Sequence, residues 1–179
     1  RYCYIIMIKF ALLGAGRIGK MHAQNIIENP NCKLVVVYDI NSENANNVAK
    51  LNNAKIANSP EEAINDNEVN AVFIASTTTT HINFIILAAK AGKPTLCEKP
   101  IDLDIEKVNN CFETIKNLKV PIQIGFNRRF DKSNKKLKEA KDSGEIGDLE
   151  MIIITSRDPA PSTIEYHKTS GGLFRDCTI

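Results

Sequence analysis

The sequence has no CxxC pair and no cluster that brings cysteine and histidine together. Its five cysteines, Cys3, Cys32, Cys97, Cys111 and Cys177, are odd in number and widely scattered. That argues against a disulfide framework and suits free thiols in a reducing compartment, so a cytoplasmic location is expected. With only three histidines, His22, His81 and His167, no metal site is expected, and redox chemistry would have to proceed without one. A net charge of +2 provides no general field for nucleic acid. The densest basic run, Lys132 to Lys141, is broken up by Asp131, Glu139 and Asp142 and reads as the wetted face of a helix. No apolar stretch is long enough to span a membrane, and the first residues lack the cleavage site of a signal. Neither nucleic acid nor membrane is therefore an expected partner. Internal repeats and low-complexity tracts are absent too. What remains is 179 residues with 43% apolar content, enough to bury the core of one domain and part of another.

Within that chain one stretch is not generic. An apolar run from Met7 to Leu13 breaks at Gly14-Ala-Gly16-Arg17-Ile18-Gly19 and resumes with helical periodicity. In a Gly-x-Gly-x-x-Gly between strand and helix, Gly14 permits the tight turn and Gly16 has no Cβ to obstruct a pyrophosphate. Gly19 lets the helix lie close to the sheet, and the helix's first N–H groups, at Arg17 and Ile18, face the phosphates. The pattern alone is weak. It gains meaning from a second strand, Leu34-Val-Val-Val-Tyr38, that ends in Asp39, 25 residues after Gly14. A carboxylate there accepts both hydroxyls of an adenosine ribose and repels a 2′-phosphate. Ile40 and Asn41 follow with no arginine to hold such a phosphate, so NAD is expected rather than NADP.

Taken in order, the chain alternates. A helix is expected from Arg17 to Glu28, with Ile18, Met21, Asn25 and Ile26 on its inner side, stopped by Asn29-Pro30. A strand over Lys33–Asp39 leads to a helix capped by Ser42, and a short strand near Lys55–Ala57 to a helix opened by Ser59-Pro60. Ala71–Ala75 is the fourth strand, and a helix follows from about His81 to Ala91. Between them Ser76-Thr-Thr-Thr-Thr80 either lines a cofactor surface or caps that helix. Thr95–Cys97 forms a fifth strand, Asp102 or Asp104 caps a helix to about Asn117, and Val120–Gly125 forms the sixth strand. Six strands alternating with helices predict a doubly wound, mainly parallel Rossmann sheet. After Gly125 the pattern changes to a lysine-rich helix, an Ile-rich strand over Leu149–Ser156, and a loop with Pro159 and Pro161 in which Tyr166 and His167 fall. The expected organisation is a non-native leader over 1–6, a cofactor domain over 7–125, and the start of an incomplete α/β substrate and oligomerisation domain over 126–179.

Three further segments fix a resemblance. They are Cys97-Glu98-Lys99-Pro100, Gly125-Phe-Asn-Arg128-Arg-Phe-Asp131, and Ser156-Arg-Asp158-Pro continuing to Ser170-Gly-Gly-Leu-Phe-Arg-Asp176. With Gly14–Gly19 they resemble the Gfo/Idh/MocA oxidoreductases, and the last segment is most similar to that of the inositol dehydrogenases in that family. The resemblance implies an NAD(P)-binding Rossmann domain, a C-terminal α/β domain whose open sheet builds a homo-oligomer, and a polyol or sugar substrate. It implies that Lys99 and Asp176 are catalytic and touch the substrate. It also places Glu98, Lys99, Ser76, Thr77 and His81 along the nicotinamide half of the cofactor, although His81 serves equally well as a hydrogen-bonding group at a helix start. The family's catalytic histidine would fall one position beyond Ile179, so this chain by itself is expected not to turn over.

The chemistry runs the same way. Oxidising a secondary alcohol without a metal needs a base for the hydroxyl proton and a hydride acceptor. An aspartate and a histidine four residues apart share a helix face, and the carboxylate orients the imidazole. Lys99 then donates to the substrate oxygen. Arg128 and Asp158 either face the vicinal hydroxyls of a polyol or form a salt bridge at a domain junction. The leading expectation is NAD-dependent oxidation of a myo-inositol-like polyol to a ketone. A relative acting on another sugar, and a non-catalytic NAD-binding module, are the alternatives.

Overall fold

A computed structural model describes residues 7–157, 160, 163–172 and 176. The chain divides after Gly125 into two compact units. The first carries six strands, β1 (Ile8–Leu13), β2 (Cys32–Tyr38), β3 (Lys55–Ile56), β4 (Ala71–Ile74), β5 (Thr95–Cys97) and β6 (Ile122–Ile124). They form one sheet in the order β3-β2-β1-β4-β5-β6, every neighbouring pair parallel. The connecting helices are α1 (Arg17–Glu28), α2 (Ser42–Asn52), α3 (Pro60–Asn65), α4 (Thr78–Lys90) and α5 (Ile105–Ile115). This is the doubly wound Rossmann arrangement, with its change of direction between β1 and β4.

Strand periodicity explains why both faces are covered. Along β1, Ala11 and Leu13 point into one core and Leu12 into the other, and in β4 Val72 and Ile74 oppose Phe73 in the same way. The first core is completed by Ala63 and Ile64 of α3, Ile85, Ala88 and Ala89 of α4, and Cys111 and Ile115 of α5. The second is completed by Ala23 and Ile26 of α1 and by Ala45, Val48 and Ala49 of α2. Leu12, Leu13 and Ile74 are wholly buried, each worth about 1.5–3 kcal/mol of transfer free energy.

Several boundaries differ from expectation for local reasons. The cap of α2 is Asn41, whose side chain accepts from the N–H groups of Glu43 and Asn44, and Ser42 is already inside the helix. The inner face of α1 is Gly19, Ala23 and Ile26, whereas Met21 and Asn25 point outward. Helix α4 begins at Thr78 rather than near His81, because Thr77 takes the extended cap conformation and Thr80 returns its hydroxyl to the Thr77 carbonyl at 2.8 Å. Asp104, not Asp102, caps α5.

The second unit carries α6 (Lys132–Asp142), capped by Asp131, and α7 (Ile164–Ser170), capped by Thr163. Tyr166 and His167 therefore lie on a helix and not in a loop, since Thr163 starts it and Gly171, at φ 84°, ends it. The expected strand over Leu149–Ser156 is not formed. Those residues are irregular and exposed, because among the described residues no neighbouring strand offers them a ladder. No helix among the described residues is long and apolar enough to cross a membrane.

Candidate functional site

The expected site residues of the first unit gather at the carboxyl edge of the sheet, on the loops that follow β1, β2, β4 and β5. Gly14 closes the turn after β1 with φ +97°, and a Cβ there would meet the backbone of Ala75 and Ser76 at 2.5–2.6 Å. A Cβ on Gly19 would lie 2.0 Å from the Gly14 carbonyl oxygen. These two glycines are therefore required by the packing of the protein itself. Gly16 is different, since a Cβ there would meet nothing within 4 Å. The space it leaves open lies at the start of α1.

That helix start is distinctive. Helices α2, α3, α5, α6 and α7 each begin with a side chain that caps them. Helices α1 and α4 do not. The first N–H groups of an α-helix have no partner within the helix, and here Arg17 and Ile18 carry two of them. The two uncapped helices follow β1 and β4, the strands that flank the change of direction, where an anion of a ligand is best received.

Asp39, at the end of β2, is fixed by the backbone. Its Oδ2 accepts from the Ala15 N–H at 2.5 Å and its Oδ1 from the Asn41 N–H at 2.8 Å. The carboxylate thus stands against the glycine turn with a defined orientation. At the end of β4, the hydroxyls of Ser76 and Thr80 share a hydrogen bond at 2.6 Å, while Thr77 is exposed and lies 3.3 Å from the Thr79 hydroxyl. Of the two roles expected for His81, the hydrogen-bonding one at the helix start is the one its geometry displays. Its ring is buried at 1% exposure, with Nδ1 2.7 Å from the Pro100 carbonyl oxygen and Nε2 3.1 Å from that of Ser76. The ring stands between these two backbone carbonyls, so His81 ties the segment after Lys99 to the start of α4.

Glu98 and Lys99 follow β5. The Glu98 carboxylate is half-buried and accepts from His22 Nε2 at 2.7 Å through Oε1, and from the Lys99 N–H at 3.3 Å through Oε2. Burial alone would raise the Glu98 carboxyl, but the hydrogen bond and charge of His22, with the N–H and charge of Lys99, outweigh it and hold it below the usual range. Burial pushes the neighbouring Cys97 thiol far above its ordinary value, which removes it as a nucleophile. Sequence reasoning missed His22. It sits three residues beyond Gly19 on the same side of α1, the single available signal, but nothing in the sequence links it to a glutamate 76 positions away.

The remaining expected residues belong to the second unit. Arg128 lies on a short 3-10 turn, Asn127–Phe130, and is exposed. Asp176 is half-buried, and its Oδ2 accepts from the Tyr166 hydroxyl at 2.8 Å. Asp158 lies outside the described residues. Among the described residues no group of three or more histidine, cysteine or acidic side chains could hold a metal ion.

The first unit fits a dinucleotide on its own geometry. It has an open cradle at Gly16, two uncapped helix starts and an oriented carboxylate at the second strand. The comparisons agree with that geometry. The profile of an oxidoreductase family with an NAD-binding Rossmann fold, GFO_IDH_MocA, matches residues 8–126. Inositol 2-dehydrogenase of Rhizobium meliloti is 43% identical over 96% of this chain and 52% of its own length. The crystal structure of a putative myo-inositol dehydrogenase from Sinorhizobium meliloti superimposes with a TM-score of 0.89 at 42% identity, over 96% of this chain and 52% of that one. Scyllo-inositol dehydrogenase from Lactobacillus casei, solved with NAD(H) and scyllo-inositol bound, gives 0.76 at 33% identity, over 79% of this chain and 43% of that one. The chain spans about half the length of the curated relatives it matches.

Proposed function

The chain belongs to the Gfo/Idh/MocA oxidoreductase family, and from that premise we propose that it provides the cofactor half of a dehydrogenase oxidising a cyclic polyol to a ketone. On this reading residues 7–125 are the NAD domain, and 126–179 open the substrate and oligomerisation domain. The observation that carries it is the adjacency of two features along one sheet edge. The uncapped α1 and α4 with the open Gly16 lie beside the Glu98-Lys99 segment, which is joined to α1 through His22 and to α4 through His81. A dinucleotide pyrophosphate on the former brings the nicotinamide half toward the latter. The relatives named as inositol dehydrogenases support the substrate class.

When bound, NAD supplies the acceptor for the hydride that leaves the alcohol carbon. The chain's own residues do the rest. The N–H groups of Arg17 and Ile18 receive the pyrophosphate, and Asp39 accepts the ribose hydroxyls with lone pairs not already used by Ala15 and Asn41. Lys99 donates a hydrogen bond to the alcohol oxygen and stabilises the negative charge that grows on it as its proton passes to the base, the histidine that the resemblance places four residues after Asp176 in the whole protein. Asp176 acts in the second unit, in the role that the resemblance assigns to it. The free thiols of Cys32, Cys97 and Cys111 support a reducing, cytoplasmic setting.

The test is an assay of the gene product at its full encoded length for NAD reduction with myo-inositol, scyllo-inositol and aldoses. Turnover of an inositol is expected, with Lys99→Ala abolishing it. Turnover of an aldose with no inositol isomer accepted would replace the substrate class. NAD bound without turnover of any polyol or sugar would leave a binding module.

A further inference from the structure

We propose that His22 and Glu98 form a positioning pair through which the cofactor helix α1 fixes the backbone that presents Lys99. The inference rests on the reading of Lys99 as the residue that meets the substrate oxygen. Four observations converge on the Glu98 carboxylate. Its Oε1 accepts from His22 Nε2 at 2.7 Å, and both side chains are largely withdrawn from solvent, at 16% and 20% exposure. The His22 ring lies against Phe73, their centroids 4.3 Å apart and their planes inclined by 34°. Phe73 is itself 5% exposed on β4, so the imidazole has a rigid floor. Gly125 also lies beside Oε1, where a Cβ would stand 3.3 Å away. Gly125 is anchored in turn by its N–H to the Cys97 carbonyl at 2.7 Å.

Held in this way, the carboxylate presents Oε2 to the Lys99 N–H, while the Glu98 N–H is bound to the Ile74 carbonyl at 2.9 Å. The chain leaving β5 is thus fixed at two successive amides. A rotating carboxylate would release one of them. Helix α1 carries the glycine turn at its start and His22 less than two turns further on. One rigid element therefore bears both the cradle for the pyrophosphate and the clamp for Lys99, so the distance between phosphates and lysine is set by α1 and not by a loop. Neither His22 nor Glu98 needs to touch the reacting atoms. A positioning role of this kind is valuable because misplacement by an ångström can cost about a hundredfold in rate.

Two measurements test it together. In this chain, the amide resonance of Lys99 is followed in ¹⁵N-labelled protein carrying His22→Ala, His22→Gln or Glu98→Gln, and each variant is titrated with NAD. In the product of the full gene, kcat and KM are measured for the same variants. His22→Ala is expected to move the Lys99 amide and to lower kcat by on the order of tenfold with KM for the polyol nearly unchanged. His22→Gln, which keeps a donor near Nε2, should recover most of both. Unmoved Lys99 amide and kcat in His22→Ala would overturn the pairing, as would a lower melting temperature with kcat intact. If His22→Ala does not fold, Glu98→Gln carries the test. Undiminished turnover in Lys99→Ala would instead sink the reading of Lys99 and leave the amide measurement to decide the pair.

Discussion

Ile74 and Ile153 are the same residue in apolar runs of similar strength, yet one is wholly buried and the other 83% exposed. Ile74 stands in β4, between β1 and β5, with helices on both faces. Ile153 stands in a run, Met151–Ile154, that has no strand beside it among the described residues and has not become one. A β-strand is a property of a pair, since its backbone groups need a neighbour to bond and its side chains need a layer to cover them. The first unit supplies both. The second supplies, among its described residues, two helices whose apolar surface stays largely open.

The largest effect that could break this comparison is the simplest. Ile74→Ala should cost about 2–5 kcal/mol, as a truncation in a closed core does. Ile153→Ala should stay within about 0.5 kcal/mol. Denaturant unfolding of both variants measures the difference. Equal losses would mean that the Met151–Ile154 run is packed in solution and that the contrast between the units is wrong.

A second comparison lies inside the glycine turn. Gly19→Ala drives a Cβ into the Gly14 carbonyl, so α1 must shift from the sheet at a cost of about 1–3 kcal/mol. Gly16→Ala meets open space and should leave stability within about 0.5 kcal/mol of the parent. It should nonetheless lose NAD affinity, because the new methyl occupies the cradle. Thermal melts and calorimetric titration of the two variants separate the roles. A Gly16→Ala protein that binds NAD like the parent would move the pyrophosphate away from this turn.

What the sequence made legible follows the same division. Where a signal is local and repeated by its neighbours, the structure follows it: the glycine turn stands between β1 and α1, Asp39 stands at the end of β2, and the alternation yields six parallel strands. Asn41 taking the cap expected of Ser42 is a choice between adjacent residues that both have capping side chains, and only the backbone angles decide it. The start of α4 was hidden because five hydroxyl residues in succession, Ser76 to Thr80, make several caps equivalent by composition. The His22–Glu98 bond was invisible for a different reason. It joins a helix to a distant strand end, and no period or spacing encodes such a pair. His81 was open between a ligand contact, implied by the resemblance, and a hydrogen-bonding group at a helix start, because only the fold brings the Pro100 and Ser76 carbonyls to its ring.

The smallest effect, and the one that sharpens the contrast most, concerns acid. Among the described carboxyls held below their ordinary range, Asp66 and Glu68 are lowered by Lys55 at the surface of the first unit, and Glu98 in that unit contrasts with Asp142 in the second. Asp142 is lowered by the hydrogen bond of Lys138, joined by Lys141, all on the open face of α6. Glu98 is lowered although burial opposes it, because His22 and Lys99 outweigh the burial. A carboxyl depressed in the folded state stabilises the protein above its unfolded value, and that contribution is lost as pH falls through the folded value. For Glu98 the loss therefore begins near the ordinary 4.5 and continues below it. Glu98→Gln should flatten the acid limb of stability against pH, and it should do so at high salt as well as low, because the pair is withdrawn from solvent. Asp142→Asn should leave the limb unchanged at physiological ionic strength, where exposed pairs are screened. Unfolding free energies measured between pH 6 and pH 3 at two salt concentrations decide it (the range is about that of carboxylate titration). A limb that follows Asp142 and ignores Glu98 would show that the buried pair contributes position without stability.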